Sequence, residues 1–475
     1  MELAGKSLIT IDDLSNGQIE ALFSLADDMS GSMGKQLDVC RGKVMASLFF
    51  EPSTRTRLSF ETAMHRLGGS VISVFDAKST SLVKGESIAD MARVVGSYAD
   101  IIVVRHPWEG AARVIAGYAG VPVINAGDGG HEHPTQTLCD LYTLKKEKQS
   151  LKGLRIALWG DLKHGRTIHS LTYALARFGA IIYFHSAPGL ELPDYVKRKL
   201  ETEYTGKLER YEKLTSIFEG GTFPVDSIYI TPSSPHQLAN IPDVSRQVEL
   251  EKGVEALYVT RLQNERMSLS EGDLKESYPV VDKKLLKDKE FEKTLILHPL
   301  PRVDELAREL DTDPRSMYFK QASFGVPIRM ALIAMLLGAK KPAIEETETF
   351  VRKKEQPVCP FIYGVACPNA DCVTNHETKY IKPEFAIVSR QPVILRCTYC
   401  DREVRPEYIA SSEWHEGKLE TKQYHSAASR WAHEIRSENL IVFGSEEEAG
   451  KHGFKPSHFV HNPEGGREGT GESAL

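Results

Sequence analysis

The sequence predicts an α/β protein with two doubly wound parallel-sheet domains, followed by a small β-rich module. Three observations carry this. Strand-length apolar runs alternate with helix-length patterns from Val44 to His298, and those runs are apolar on both faces, as strands covered by helices on both sides must be. Five of the seven cysteines crowd between Cys359 and Cys400, which marks a separate module.

In order, strands are expected at 44–50, 71–75, 101–104 and 121–125, with helices at 54–67, 88–98 and 114–118 between them. A long helix over 134–148 ends in a polar stretch, and a domain boundary is placed near Ser150. The second series has strands at 154–159, 181–185, 228–231, 256–260 and 294–298 and a helix at 166–178. A helix from Pro327 to Leu337 closes the unit and stops at Gly338-Ala-Lys-Lys-Pro342. The expected organisation is therefore a first domain over 1–150, a second over 151–325, a C-terminal helix over 326–340, a charged linker over 341–357, a cysteine module over 358–420, and an extension over 421–475. The final stretch from Pro463 is too poor in apolar residues to fold.

At 475 residues the chain has room for about three domains. A formal net charge of -6 argues against nucleic acid or an anionic membrane as the bulk partner. The start lacks the basic residues and apolar run of a secretory signal, and the apolar stretch 330–339 is too short to span a bilayer, so a cytoplasmic protein is expected. Seven cysteines in such a chain do not read as a disulfide framework; Cys40 and Cys139 read as buried thiols.

Chemistry enters with Glu51-Pro-Ser53-Thr54-Arg55-Thr56-Arg57, which lies between a predicted strand and a predicted helix. Hydroxyls, backbone N–H groups and a guanidinium meet at a helix N-terminus, which suits an anion. The plain alternative is a helix capped by Ser53 or Thr54 with Arg55 solvated. Further motifs follow in the same chain: Arg105-His-Pro, His133-Pro-Thr-Gln136, Gly160-Asp-Leu-Lys-His-Gly-Arg166, Thr260-Arg261-Leu-Gln263-Asn-Glu-Arg266 and His298-Pro299-Leu300-Pro-Arg302-Val-Asp-Glu305.

In that order these motifs resemble the aspartate and ornithine carbamoyltransferases over about residues 1–338, and the last two resemble the aspartate enzymes. The ornithine enzymes carry a cysteine where Pro299 stands. The resemblance implies a carbamoyl-phosphate site of Ser53, Thr54, Arg55, Thr56, Arg105, His133, Gln136, Pro299 and Leu300, with Arg55, Thr56, Lys84, Arg105 and His133 as the catalytic set. It implies that Arg166, Arg261 and Gln263 hold the aspartate carboxylates and that Glu51, Arg166 and Arg266 link the domains on closure. Ser81 and Lys84 sit in a polar loop that reaches a neighbouring subunit's site in this family, so a homotrimer with shared sites is implied; the loop is one residue shorter than the family pattern. No cofactor is implied for catalysis. The implied reaction is carbamoyl transfer from carbamoyl phosphate to L-aspartate in pyrimidine synthesis. Transfer to another amine such as ornithine, and an inactive relative serving as an assembly scaffold, remain the alternatives.

Cys367-Pro-Asn-Ala-Asp-Cys372 and Cys397-Thr-Tyr-Cys400 form two knuckles whose four soft ligands favour tetrahedral, structural zinc. Cys359 and His376 compete as ligands, and a nucleic-acid-binding ribbon is the general alternative. The knuckles also resemble the zinc domain of the aspartate carbamoyltransferase regulatory chain, without the nucleotide-binding domain that precedes it there. A separate regulatory chain stays possible. A further departure is an added stretch at 202–221.

Overall fold

The computed structural model describes residues 3–32, 34–75, 84–159, 161–185, 191–203, 255–261, 281–287, 291–345, 356–412, 422–429, 434–457 and 460. The expected strand at 228–231, the added stretch from 204 onward, Ser81, Gln263 and Arg266 lie outside them. The chain divides into two units, Met1–Lys353 and Lys354–Leu475.

The first unit opens with a helix that the strand pattern passes over, α1 (Asn16–Gly31). Its start is written locally: Ser15 accepts from the Gln18 N–H, and the Gln18 side chain accepts from the Ser15 N–H, a reciprocal cap. There follow β1 (Val44–Phe49), α2 (Thr54–Arg66), β2 (Ser70–Val74), α3 (Ile88–Gly96), β3 (Ile101–His106), α4 (Ala111–Tyr118), β4 (Val123–Asp128) and α5 (Pro134–Lys148). The strands form one parallel sheet in the order β2-β1-β3-β4. Strands β3 and β4 are buried throughout, as two-sided apolar runs require. Strand β2 differs from that expectation. It is the sheet edge, and Ile72 and Phe75 beside it are 43% and 69% exposed.

A second parallel sheet, ordered β6-β5-β7-β8, is built from β5 (Arg155–Trp159), β6 (Ile181–His185), β7 (Ala256–Val259) and β8 (Leu295–Leu297). The helices α6 (Arg166–Arg177) and α7 (Asp194–Glu203) flank it. Two more follow, α8 (Tyr318–Ser323) and α9 (Gly325–Leu336). Helix α9 is almost wholly buried and packs on α1, α2 and α5. One apolar core runs through the unit, with Tyr142 edge-on to both Phe23 and Phe324.

Strand order reverses between β1 and β3 in the first sheet and between β5 and β7 in the second. Such switch points open a crevice at the carboxyl ends of the strands. The segments leaving β1, β5 and β7 carry Ser53 to Thr56, Arg166 and Arg261, and Arg105 stands at the end of β3.

In the second unit, β10 (Phe385–Arg390), β11 (Val393–Cys397) and β12 (Glu403–Val404) form an antiparallel sheet next to the knuckles. A five-stranded sheet in the order β16-β14-β13-β15-β9 joins β9 (Phe361–Tyr363), β13 (Tyr408–Ser411), β14 (Gln423–Ser426), β15 (Leu440–Phe443) and β16 (Lys455–Pro456). A module boundary at 420 therefore cuts a single sheet: β15 pairs with β13 and with β9, before the first knuckle. Sequence reading separates them because the pairing is long-range.

Candidate active site and metal centre

Glu51 is the centre of the cleft geometry. Its Oε1 accepts from Arg105 Nη2 at 3.0 Å and from Arg166 Nη2 at 3.2 Å, and its Oε2 accepts from Arg166 Nη1 at 2.9 Å. Arg166 Nη1 also donates to the Gly129 carbonyl at 2.6 Å. The guanidinium of Arg105 at the end of β3 and that of Arg166 at the start of α6 are thus locked on one carboxylate, a charge-assisted arrangement with fixed directions. Gly127 lies beneath them at φ +117°, where a side-chain Cβ would sit 3.4 Å from both Arg105 Nη1 and Arg166 Cζ.

Ser53 occupies the N-cap position of α2 with extended backbone, yet its side chain makes no capping bond. The bland reading of Ser53 as a helix cap therefore fails. The first N–H groups of α2 lack a side-chain partner from the cap residue, beside the buried hydroxyl of Thr56 and the guanidinium of Arg55. Partial burial and the positive charge of Arg261 lower the pKa of Arg55, so a cation of the second sheet faces a cation of the first. Like charges held together in this way suit an anion between them.

His133 starts α5, also without a side-chain capping bond. Its N–H donates to Ser170 Oγ at 3.0 Å, and Ser170 Oγ in turn donates to Glu132 Oε2. Burial, and then the charges of Arg166, Arg105 and Arg329, hold the imidazole well below its ordinary pKa. It is neutral at pH 7 and can donate one ring N–H without carrying charge.

Gln136 donates to Asp140 Oδ1 at 2.8 Å, and the same oxygen accepts from Gln321 at 2.6 Å. Gln321 Oε1 accepts from the His298 N–H at 3.0 Å, and His298 Nδ1 accepts from the Leu300 N–H at 2.8 Å. That acceptance fixes the tautomer, so Nε2–H donates to Glu305 at 2.8 Å. The chain of bonds ties Gln136 to the turn that carries Pro299 and Leu300, where Leu300 is held at φ +56°. Asp140 also accepts from Tyr258, and burial pushes its carboxyl up to about 7.

Arg55, Thr56, Arg105, His133, Arg166 and Arg261 are therefore brought to one cleft. Lys84 is exposed and belongs to no bond of it, while Ser81, Gln263 and Arg266 lie outside the described residues. Sequence reading passed over Glu132, Asp140, Ser170 and Gln321, and gave His298 and Glu305 no role of their own within the motif that contains them. Asp140 follows Gln136 by one helical turn, a spacing that could have flagged it. Ser170 and Gln321 meet their partners 37 and 181 residues away, with no local signal.

In the second unit, the sulfurs of Cys367, Cys372, Cys397 and Cys400 all lie within 4.8 Å of one another, and all four residues are buried. The Cys367–Cys400 and Cys372–Cys397 separations are 3.4 and 3.8 Å. A tetrahedron with zinc–sulfur bonds of about 2.3 Å has edges of about 3.8 Å, so the four fit one zinc ion. Thr374 Oγ1 points at Cys372 Sγ from 3.2 Å, a supporting contact of the kind that orients a ligand. Cys359 is not a fifth member. Its thiol donates towards the Phe361 and Leu440 carbonyls, and His376 is likewise not in the cluster.

Fold and cleft define a two-domain α/β transferase for anionic substrates with a structural zinc module. The carbamoyl-phosphate-binding domain model of aspartate/ornithine carbamoyltransferases matches residues 6–146, and the Asp/Orn-binding domain model matches 238–336. The metal-binding domain model of the aspartate carbamoyltransferase regulatory chain matches 361–410. The aspartate carbamoyltransferase catalytic subunit of Picrophilus torridus is 44% identical over 341 residues, covering 71% of this chain and 99% of its own. That of Thermococcus kodakarensis is 45% identical over 342 residues, again 71% and 99%. Among solved structures, the Trypanosoma cruzi aspartate transcarbamoylase with carbamoyl phosphate and aspartate aligns with a TM-score of 0.59 at 34% identity, covering 70% of this chain and 98% of its own. The catalytic subunit of M. Jannaschii aspartate transcarbamoylase aligns with a TM-score of 0.56 at 41% identity, covering 70% of this chain and 98% of its own. The chain belongs to the aspartate/ornithine carbamoyltransferase family, on the aspartate carbamoyltransferase side, and carries a regulatory-chain zinc domain in the same polypeptide.

Proposed function

We propose that this protein transfers the carbamoyl group of carbamoyl phosphate to the α-amino group of L-aspartate, giving N-carbamoyl-L-aspartate and phosphate for pyrimidine synthesis. The observation that carries the reading is the Glu51 junction, which joins Arg105 at the end of β3 to Arg166 at the start of α6, with Arg55 feeling the charge of Arg261. Ser53, Thr54, Arg55 and Thr56 hold the phosphate. Arg105, Thr56 and the neutral His133 polarise the carbamoyl oxygen, while Gln136 and the backbone of Pro299 and Leu300 receive the amide. Arg166, Arg261 and Gln263 take the two carboxylates of aspartate.

The amine lone pair attacks the carbamoyl carbon, the oxyanion is met by preplaced donors, and the bond to the phosphate oxygen breaks. The leaving phosphate accepts the amine proton, so no side-chain nucleophile is needed. Rate comes mainly from positioning and fixed charge. Phosphate release with carbamoyl phosphate and either L-aspartate or L-ornithine tests the reading. Turnover with ornithine alone, or with neither, would overturn it.

We further propose a trimer with shared sites. The exposed edge strand β2, with Leu58 50%, Ile72 43% and Phe75 69% exposed around it, supports a subunit interface there, and the exposed Lys84 would then serve a neighbour. Light scattering checks the assembly, and mixing Lys84→Ala chains with Arg105→Ala chains checks the sharing through recovered activity. A cytoplasmic setting agrees with the reduced-cysteine chemistry, and among the described residues no helix is long and apolar enough to cross a membrane. Domain limits near 150 and 325 and the closing roles of Glu51 and Arg266 belong to the same reading.

A further inference from the structure

Among the described residues, one buried cation has no ion pair. Arg329, on α9, is 4% exposed. Its Nη1 donates to Cys139 Sγ at 3.8 Å, its guanidinium lies 4.9 Å from the Phe60 ring centroid, and its buried Nε has no hydrogen-bond partner. Cys139 gives no counter-charge, because burial pushes its thiol up to about 11. Five arginines are buried among the described residues, and four have a carboxylate: Arg105 and Arg166 have Glu51, Arg177 has Asp12, and Arg396 has Glu403. Arg329 alone has no ion pair; the Asp140 carboxyl feels its charge only through space and is itself pushed up to about 7 by burial. The backbone makes room for it, since a Cβ on Gly325 would stand 2.2 Å from Nη1.

A guanidinium buried without a paired, fully charged anion is costly, and an apolar side chain of similar size would pack beside Phe60 without that cost. The surroundings say where the missing anion belongs. Phe60 stands on α2, one turn beyond Thr56, and Cys139 stands on α5, which begins directly after His133. The charge of Arg329 reaches His133, and in a dry cleft such fields extend beyond contact distance.

We propose that Arg329 is a positioning residue for carbamoyl phosphate, a fixed positive charge behind the cradle of Ser53 to Thr56 whose counter-ion is the phosphate group of the substrate. It acts through space on the phosphate and by helping to keep His133 an uncharged donor. The inference rests on reading the cleft as a carbamoyl-phosphate site, and it goes beyond that reading by adding a residue that no sequence motif supplied.

The test uses the full chain with Arg329→Met, Arg329→Gln and Arg329→Lys. Inorganic phosphate binding, followed by calorimetry and by the rise in melting temperature it causes, should weaken about tenfold in the Met and Gln variants and stay within a few-fold of wild type in the Lys variant. The Michaelis constant for carbamoyl phosphate should rise by a similar factor, with kcat and the constant for aspartate changing less. Ligand-free Arg329→Met should melt no lower than wild type. Unchanged phosphate binding in Met and Gln alike, or a Lys variant as weak as Gln, overturns the proposal and leaves Arg329 a packing residue. If Met does not fold, the contrast between Gln and Lys decides. Should wild type bind phosphate in an Arg329-dependent way yet fail to carbamoylate aspartate, the reaction assignment fails and this inference stands.

Discussion

In the unit over Met1–Lys353, the central atoms of the cleft come from Glu51, Arg105 and Arg166, with 115 residues separating Glu51 from Arg166, and they are held on a large continuous apolar core. In the unit over Lys354–Leu475, four sulfurs come from positions at most 33 residues apart, and among the described residues one apolar cluster has five buried members, Ala410, Tyr424, Ile441, Phe443 and Ala449. The first unit can place charges because its core already fixes the backbone. The second buries a smaller apolar set beside its cysteines, among them Val373, Phe385, Val393 and Leu395, and a core of that size leaves the knuckles to be fixed by the metal.

That contrast is broken most decisively by taking the metal away. Chelation, or Cys397→Ala, should remove on the order of 10 kcal/mol of binding free energy from the zinc module and unfold its knuckles, seen as loss of protection in hydrogen exchange over 365–405. The core residues of the first unit should keep their protection. Equal loss in both units would mean that the two are not separately organised.

Next in size is Glu51→Gln, which leaves Arg105 and Arg166 side by side with their shared charge gone. A fall of about 10²- to 10³-fold in kcat/KM is expected, with the fold intact by circular dichroism. A loss below threefold would show that the junction is an ordinary ion pair.

Glu132 gives a smaller effect with a definite sign. Burial pushes its carboxyl up to about 7 from an ordinary value of 4.5, so the folded protein binds a proton that the unfolded chain releases. Folded and unfolded forms are equally protonated well below pH 4.5, and stability falls as pH rises through the window from about 4.5 to 7. Glu132→Gln keeps an acceptor for Ser170 and removes the ionisation. It should gain up to about 3 kcal/mol relative to wild type at pH 8 and little at pH 4.5, read from denaturant melts at both values. A gain independent of pH would point to packing alone.

The smallest expected change is Gln321→Leu, which interrupts the chain from Gln136 through Asp140 to His298. It should cost about 1–3 kcal/mol in stability and raise the Michaelis constant for carbamoyl phosphate by loosening the turn at Leu300. A stability loss with unchanged kinetics would confine the chain of bonds to folding.

Much of this is legible in the sequence. Strands β1, β3, β5 and β6 and helices α2, α5 and α6 follow from apolar period, and Ser53 to Thr56, His133 and the cysteine knuckles stand in short motifs whose chemistry is local. Strand β2 read as buried because Val71, Ile72 and Val74 are apolar; only sheet order reveals it as an edge. Helix α1 went unread although its reciprocal cap at Ser15 and Gln18 is a sequence signal. The bonds from Asp140 to Gln321 and from Ser170 to His133 span 181 and 37 residues, so no window along the chain contains both ends. The long-range pairing of β9 with β15 was hidden for the same reason, and so was the isolation of Arg329, which becomes visible only when every neighbour is known.

The uncapped start of α2 has a consequence for turnover. If the phosphate group completes that helix end, the substrate does so on arrival, and the freed phosphate goes on doing so after the carbamoyl group has left. Every cycle must then end by exposing the first amides of α2 to water again. The last product out leaves against the preference of the helix itself, so phosphate is expected to linger and to compete with incoming carbamoyl phosphate.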